Sequence, residues 1–195
     1  MPPLLTMKTK YIHIILLCIG LLACNKEPQQ FVIEGDVKGT TSPVVCFVTW
    51  HDSNPQVDTA TIKGGKFMFS ASSKNIQSVV IYFEKGSNWV TAWAKNGDKI
   101  TLQGDVNDPE QILICGNATN ELLTDFKQNH KDTPIETLLV DAEEFVKANP
   151  ASIASLVVIQ DYMKDNIPPN LLDEYLRLIQ SPARENWLYA RLVTR

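Results

Sequence analysis

The sequence predicts an α+β fold: an antiparallel β-sandwich or barrel of about eight strands, followed by four to five helices. Between residues 31 and 116, apolar residues recur at alternate positions and are interrupted by Gly, Asn and Pro turns, which is typical of short strands. Between residues 117 and 195, the spacing changes to three and four residues, which indicates amphipathic helices. We therefore expect a β-sandwich domain at 31–116 and a helical connector or docking region at 117–195.

The first 23 residues have the pattern of a secretory signal peptide. Lys8 and Lys10 precede an apolar run that is too short to span a bilayer. The run ends at Leu21-Leu22-Ala23-Cys24, which resembles a bacterial lipobox. That resemblance implies a lipoprotein signal peptide at 1–23, cleavage before Cys24 and a lipid on the Cys24 thiol. An uncleaved anchor helix and an ordinary signal peptide are the alternatives.

Residues 24–30 are then a lipidated tether, and the lipid on Cys24 attaches the protein to a membrane. Asn25 follows the modified cysteine, whereas aspartate is the usual signal for retention at the inner membrane. We therefore expect a location in the cell envelope, at the outer membrane, facing the periplasm or the cell surface.

Turn signals divide the β region into its strands. The predicted strands are 31–37, 44–50, 57–62, 66–70, 78–84, 88–95, 99–103 and 111–115. Gly64-Gly65 and Asn96-Gly97 predict tight hairpins, because these residues adopt positive φ angles easily.

Proline and polar residues divide the helical region. A helix is predicted at about 119–129, and Thr133-Pro134-Ile135-Glu136 predicts a capping box that begins the next one. Asn149-Pro150, Pro168-Pro169 and Ser181-Pro182 predict the starts of three more.

Charge and cysteine content exclude some functions. The net charge of −4 comes without a basic cluster, which argues against nucleic-acid binding. Cys46 and Cys115 would remain in a compartment that permits disulfides, so they are either a disulfide or two free thiols. Alternation places Cys46 on one face with Val44 and Val48, which predicts a buried thiol.

Few residues are candidates for a site. Trp89 and Trp93 share a strand face that could stack on a sugar or a partner, although core packing is the alternative. Asp58-Thr59-Ala60 resembles a short O-glycosylation signal at Thr59. His51 and His130 are not clustered with other ligands, so no metal site is expected, and we expect no catalytic residue and no cofactor.

Several segments resemble a known family. They are Phe31-Val32-Ile33-Glu34-Gly35, the stretch from Val57 through Gly64-Gly65 to Phe69, and Gly97-Asp98-Lys99-Ile100-Thr101-Leu102-Gln103-Gly104. They are similar to the uncharacterised β-rich domain of Bacteroidetes lipoproteins that precedes a thioredoxin-like module of the TlpA or AhpC/TSA type. This sequence contains no Cys-x-x-Cys, so the redox module of those relatives is not expected within it.

The sequence therefore predicts a lipid-anchored, non-catalytic binding or assembly module of the envelope. The resemblance implies association with periplasmic thiol-disulfide redox proteins, with a thioredoxin-like protein or a second copy of the chain as partner. One alternative is a surface lipoprotein that binds glycans or peptides through Trp89 and Trp93. Another is a truncated or split thiol-disulfide oxidoreductase that lacks its catalytic domain.

Overall fold

In the part of the chain that the structure describes, eight strands form two four-stranded sheets and helices follow them, which confirms the predicted fold class. The computed structural model describes residues 28–51, 54–84 and 88–194. The strands are β1 (Phe31–Lys38), β2 (Val44–His51), β3 (Asn54–Thr61), β4 (Lys66–Ala71), β5 (Gln77–Tyr82), β6 (Trp89–Ala94), β7 (Lys99–Asp105) and β8 (Leu113–Cys115). The strand order is β4-β1-β7-β8 in the first sheet and β3-β2-β5-β6 in the second.

The strand pairing is antiparallel except between β1 and β7, which run parallel within the described residues. The two hairpins expected at the glycine turns are wrong. Lys63 and Lys66 do form a tight two-residue turn, but β3 continues in the second sheet and β4 in the first. The Asn96-Gly97 turn likewise connects β6 of the second sheet to β7 of the first. Both turns pass the chain between the sheets, because their outgoing strands find partners in β1.

Phenylalanine rings fill the space between the sheets. Phe47 of β2 stacks on Phe69 of β4 with ring centroids 4.1 Å apart, so side chains from the two sheets interdigitate. Phe67 lies opposite Gly35 of β1, and a Cβ atom on Gly35 would come within 2.1 Å of the Phe67 ring. Gly35 therefore makes room for an aromatic ring in the core.

Five α-helices follow the sandwich in the described residues. They are α1 (Ala118–Asn129), α2 (Ile135–Ala148), α3 (Ile153–Val158), α4 (Pro169–Leu178) and α5 (Trp187–Val193). A π-helical turn, Ile159–Met163, continues α3, and short 3-10 turns lie at Pro109–Gln111 and Ala183–Glu185. None of the helices in the described part of the chain has the length and hydrophobicity needed to cross a bilayer.

The helix starts differ from the sequence prediction in three places. The capping box is wrong, because Pro134 takes the cap position of α2 and no side chain caps that helix. Thr133 therefore lies one residue too early to accept from the first free N–H groups. Ser152 caps α3 instead of Asn149-Pro150, and Asn186 caps α5, which begins after the 3-10 turn that follows Pro182.

Candidate functional site

A cleft of about 930 Å³ lies where the sandwich meets the helices. The strands β5 and β6, the 3-10 turn at Pro109–Gln111 and the helices α1, α3 and α5 all contribute to its walls. The sequence contains four tryptophans, and all four line this space: Trp50, Trp89, Trp93 and Trp187. We call it the tryptophan cleft. Its volume lies within the range of small-molecule sites in proteins.

Trp93 is a supporting residue of the cleft. Its side chain is 4% exposed and belongs to the core of the helical region. The Trp187 ring stacks on it with centroids 6.4 Å apart and planes 20° apart, while Trp187 itself stays 46% exposed. Trp93 therefore fixes the position of Trp187, and Trp187 presents its ring to the cleft.

Two further tryptophans present exposed faces. Trp89 is 51% exposed and Trp50 is 47% exposed. Tyr82 lies opposite Trp89 in the β5–β6 ladder, and its ring centroid is 6.5 Å from that of Trp89. Large aromatic rings are usually mostly buried. Three half-exposed tryptophans at one cleft therefore indicate a surface that is suited to contact a ligand or a partner protein.

Helix α1 holds the strand that carries two of these rings. The buried Asn120 side chain accepts from the Trp93 N–H at 2.9 Å and donates to the Trp93 carbonyl at 2.8 Å. Asn117 also donates to the Trp93 carbonyl, at 2.9 Å. The Asn120 amide thus pairs with the free edge of β6 in the way that another strand would.

The same helix covers the edge of the other sheet one turn later. The Thr124 hydroxyl accepts from the Ile114 N–H at 3.1 Å and donates to the Ile114 carbonyl at 2.9 Å. Because Ile114 lies on β8, α1 joins edge strands of both sheets. Side chains of α1 are therefore hydrogen-bonded to one edge strand of each sheet beside the cleft.

Two glutamine side chains leave polar atoms without partners in the cleft. Gln77 is 9% exposed, and its Nε2 atom has no hydrogen-bond partner among the described residues. Gln160 donates from Nε2 to Asp161 at 3.2 Å, which leaves its buried Oε1 atom unpaired in that part of the chain. A buried polar atom without a partner costs about 1–3 kcal/mol. Both atoms are covered by protein, so an occupant of the cleft would bond to them only after the glutamine side chains rotate.

The charges around the cleft balance. Its lining contains two acids, Glu110 and Asp161, and two bases, Lys127 and Arg191. Two acids and two bases give no net formal charge, so the cleft does not select for an ion of either sign.

Trp89 and Trp93 both line the cleft, but Trp93 packs in the core, which was the predicted alternative, and only Trp89 of this pair is exposed. That the pair binds a ligand stays a prediction. The sequence prediction missed Trp50 and Trp187, because no sequence spacing relates residues that only tertiary packing brings together. Their exposed aromatic character would have been visible only after the strands and helices had been oriented.

Cys46 shares a face with Val44 and Val48, as predicted, but the prediction that this thiol is buried is wrong. Val45 and Phe47 are fully buried, whereas Cys46 is half-buried on the outer face of the sheet, with Val44 and Val48. Both faces of β2 carry apolar residues, so alternation could not decide between them. Cys46 and Cys115 are free thiols and belong to different sheets.

The remaining candidates lie outside the cleft. Thr59 is exposed on the edge strand β3, opposite Cys46. His130 contacts the Phe126 carbonyl at 2.6 Å and Asp141 at 3.0 Å, so it joins α1 to α2. The described residues hold no group of three potential metal ligands. Cys24 and the predicted signal peptide lie outside the described residues.

Residues 31–123 match the family model described as Domain of unknown function (DUF4369). The match runs past the β region into α1, the helix that bonds to one edge strand of each sheet. No curated protein and no solved structure matches the chain. Residues 31–123 are therefore similar to a domain of unknown function, and the structure shows that this part of the chain is β-rich.

Proposed function

We propose that this protein is a lipid-anchored lipoprotein of the cell envelope that acts as a non-catalytic binding module, with the tryptophan cleft as its binding site. The observation that carries the proposal is the convergence of all four tryptophans on one cleft. Aromatic rings supply large contact areas at little entropic cost, because few side-chain torsions must be fixed. The unpaired atoms of Gln77 and Gln160 would orient what binds.

Tryptophan fluorescence tests this function, because an occupant of the cleft must change the environment of the indoles. The full-length protein is titrated with fractionated envelope material that is separated into glycan, peptide and protein pools. We expect at least one pool to shift the emission, and Trp89→Ala to remove the shift. Met68→Ala is the matched control, because Met68 is 63% exposed on the other sheet. If no pool changes the tryptophan emission of the protein, the proposed binding function is wrong.

The lipid anchor is supported by the sequence Leu21-Leu22-Ala23-Cys24. Two or three acyl chains hold a protein firmly at a membrane, whereas a single chain binds marginally. The intact mass of protein extracted from its native membranes should therefore equal a chain that begins at Cys24 plus these acyl chains. Cys24→Ser should release the protein from the membrane fraction. A native mass that retains residues 1–23 would contradict the anchor.

A second candidate function is docking of a thioredoxin-like protein on the outer face of β2 and β3. The specific observation is an exposed apolar surface there: Val44 is 41% exposed and Val57 is 65% exposed. The resemblance to lipoproteins with thioredoxin-like modules supports that choice of partner. Mild crosslinking in native membranes should capture a thioredoxin-like protein, and Val57→Asp should abolish the capture while Met68→Asp should not. A crosslinked product of two identical chains would indicate self-association instead.

A further inference from the structure

We infer that the ligand of the tryptophan cleft is a neutral saccharide, which presupposes the binding function proposed above. A sugar ring has two kinds of surface. Its C–H faces are apolar, and its rim carries hydroxyl groups that both donate and accept hydrogen bonds. The cleft provides a matching partner for each.

The indole rings match the apolar faces. Trp89, Trp187 and Trp50 are each about half exposed at the cleft, so each leaves ring surface that a sugar can cover. Covering this surface removes apolar area from water on both partners, which favours binding by about 25 cal/mol for each Å² buried. Trp187 is already held by its stack on Trp93, so it loses little freedom when a ligand binds.

The glutamine amides match the hydroxyl groups. Gln77 offers an unpaired donor, and Gln160 offers an unpaired acceptor. A hydroxyl group can accept from the first and donate to the second. Both atoms are covered by protein and lack partners among the described residues. A rotation of each glutamine side chain must therefore bring the atom to the cleft, where a hydroxyl supplies the hydrogen bond that folding left unmade.

The charge balance matches a neutral ligand. A site for an acidic polymer needs excess Lys and Arg, and a site for a cation needs excess carboxylates. Here Glu110 and Asp161 offset Lys127 and Arg191.

The strand edge favours a saccharide over an extended peptide. A peptide that adds a strand needs a free row of backbone groups along β6. The side chain of Asn120 already forms hydrogen bonds with the backbone N–H and carbonyl of Trp93. The 3-10 turn at Pro109–Gln111 lies beside the same strand. Only the stretch at Trp89–Thr91 remains, which is too short for a strand of usual length.

The test is calorimetric titration of the full-length chain in a detergent without a sugar headgroup. The probes are neutral gluco-, manno-, xylo- and galacto-oligosaccharides, charged oligogalacturonides, and unstructured peptides. We expect a neutral oligosaccharide to bind, and its affinity to fall about 10-fold in Trp89→Ala and about 3- to 10-fold in Gln160→Leu.

One control variant and one stability measurement separate an effect on binding from an effect on folding. Gln111 also has an unpaired buried Nε2 atom, but it lies outside the cleft, so Gln111→Leu should leave the saccharide affinity within about 2-fold. Gln160→Leu removes an unpaired acceptor together with an exposed hydrogen bond to Asp161, so the two losses offset and the urea midpoint should stay nearly unchanged.

Each other outcome overturns the saccharide assignment. If only peptides or only oligogalacturonides bind, and Trp89→Ala abolishes that binding, the ligand is not a neutral saccharide. The cleft would still be a binding site. Saccharide binding that is indifferent to Trp89→Ala and Gln160→Leu would place the ligand elsewhere. If no probe of any class binds, the proposed function of the cleft fails as well.

Discussion

Replacing Asn120 by alanine should destabilise the protein by about 2–3 kcal/mol, because one amide serves two backbone groups of β6. The Asn120 side chain is 2% exposed and bonds to the N–H and the carbonyl of Trp93. After truncation, the carbonyl keeps its bond from Asn117, but the N–H is left buried without a partner. An unsatisfied buried donor costs about 1–3 kcal/mol, and the lost bond to the carbonyl adds about 0.5–1.5 kcal/mol.

Urea denaturation followed by tryptophan fluorescence measures this effect. A loss of about 2–3 kcal/mol should lower the midpoint by about 1 M urea, if the slope is unchanged. Asn129→Ala is the matched control, because Asn129 is an exposed asparagine on the same helix, and surface substitutions change stability by less than about 0.5 kcal/mol. If Asn120→Ala and Asn129→Ala had the same midpoint, α1 would not hold the edge of β6.

Three further results follow from the core, the tyrosines and the thiols. Gly35→Ala should lower the free energy of unfolding, measured by urea denaturation, by about 1–3 kcal/mol, because the new methyl group meets the Phe67 ring. A decrease below about 0.5 kcal/mol would mean that the ring moves away freely. Burial raises the pKa of Tyr162 to about 12, so the unfolded chain loses this proton near pH 10 while the folded chain keeps it; stability should fall between pH 10 and 12, and more steeply than in Tyr162→Phe. Alkylation of the unreduced, unfolded protein should add mass at both Cys46 and Cys115, whereas a protein that resists alkylation without reductant would contain the disulfide.

The sequence was sufficient to predict the order of strands and helices. Alternation in residues such as Phe31, Ile33 and Val37 reports directly which side of a strand is buried, and the structure buries all three. The apolar spacing of 135–146 predicts a stripe of Ile135, Leu138, Leu139, Ala142, Phe145 and Val146. The structure buries Leu138, Ala142 and Val146, whereas Ile135, at the start of the helix, is exposed. Such patterns are local, because each is produced by the geometry of one element.

The pairing of strands could not be predicted in the same way. Gly64 and Gly65 form the turn that their conformational freedom predicts, yet a turn does not determine which strand pairs with the next one. The parallel pairing of β1 with β7 joins segments that are far apart in sequence, and only packing across the whole domain selects it. The cleft escaped prediction for the same reason, since Trp50 and Trp187 are far apart in sequence and only the fold brings them to one cleft.

The position of α1 in the chain has a consequence for the order in which the molecule can assemble. The strand β6 and the strand β8 are both complete before Asn120 and Thr124 have been made. In a growing chain, the edges of β6 and β8 therefore stay without their α1 partners until that helix emerges, and uncovered edges are where separate chains pair and aggregate. A protein that ended at residue 116 would keep these edges of β6 and β8 uncovered. The addition of α1 therefore completes the assembly of the sandwich, although α1 belongs to the helical region.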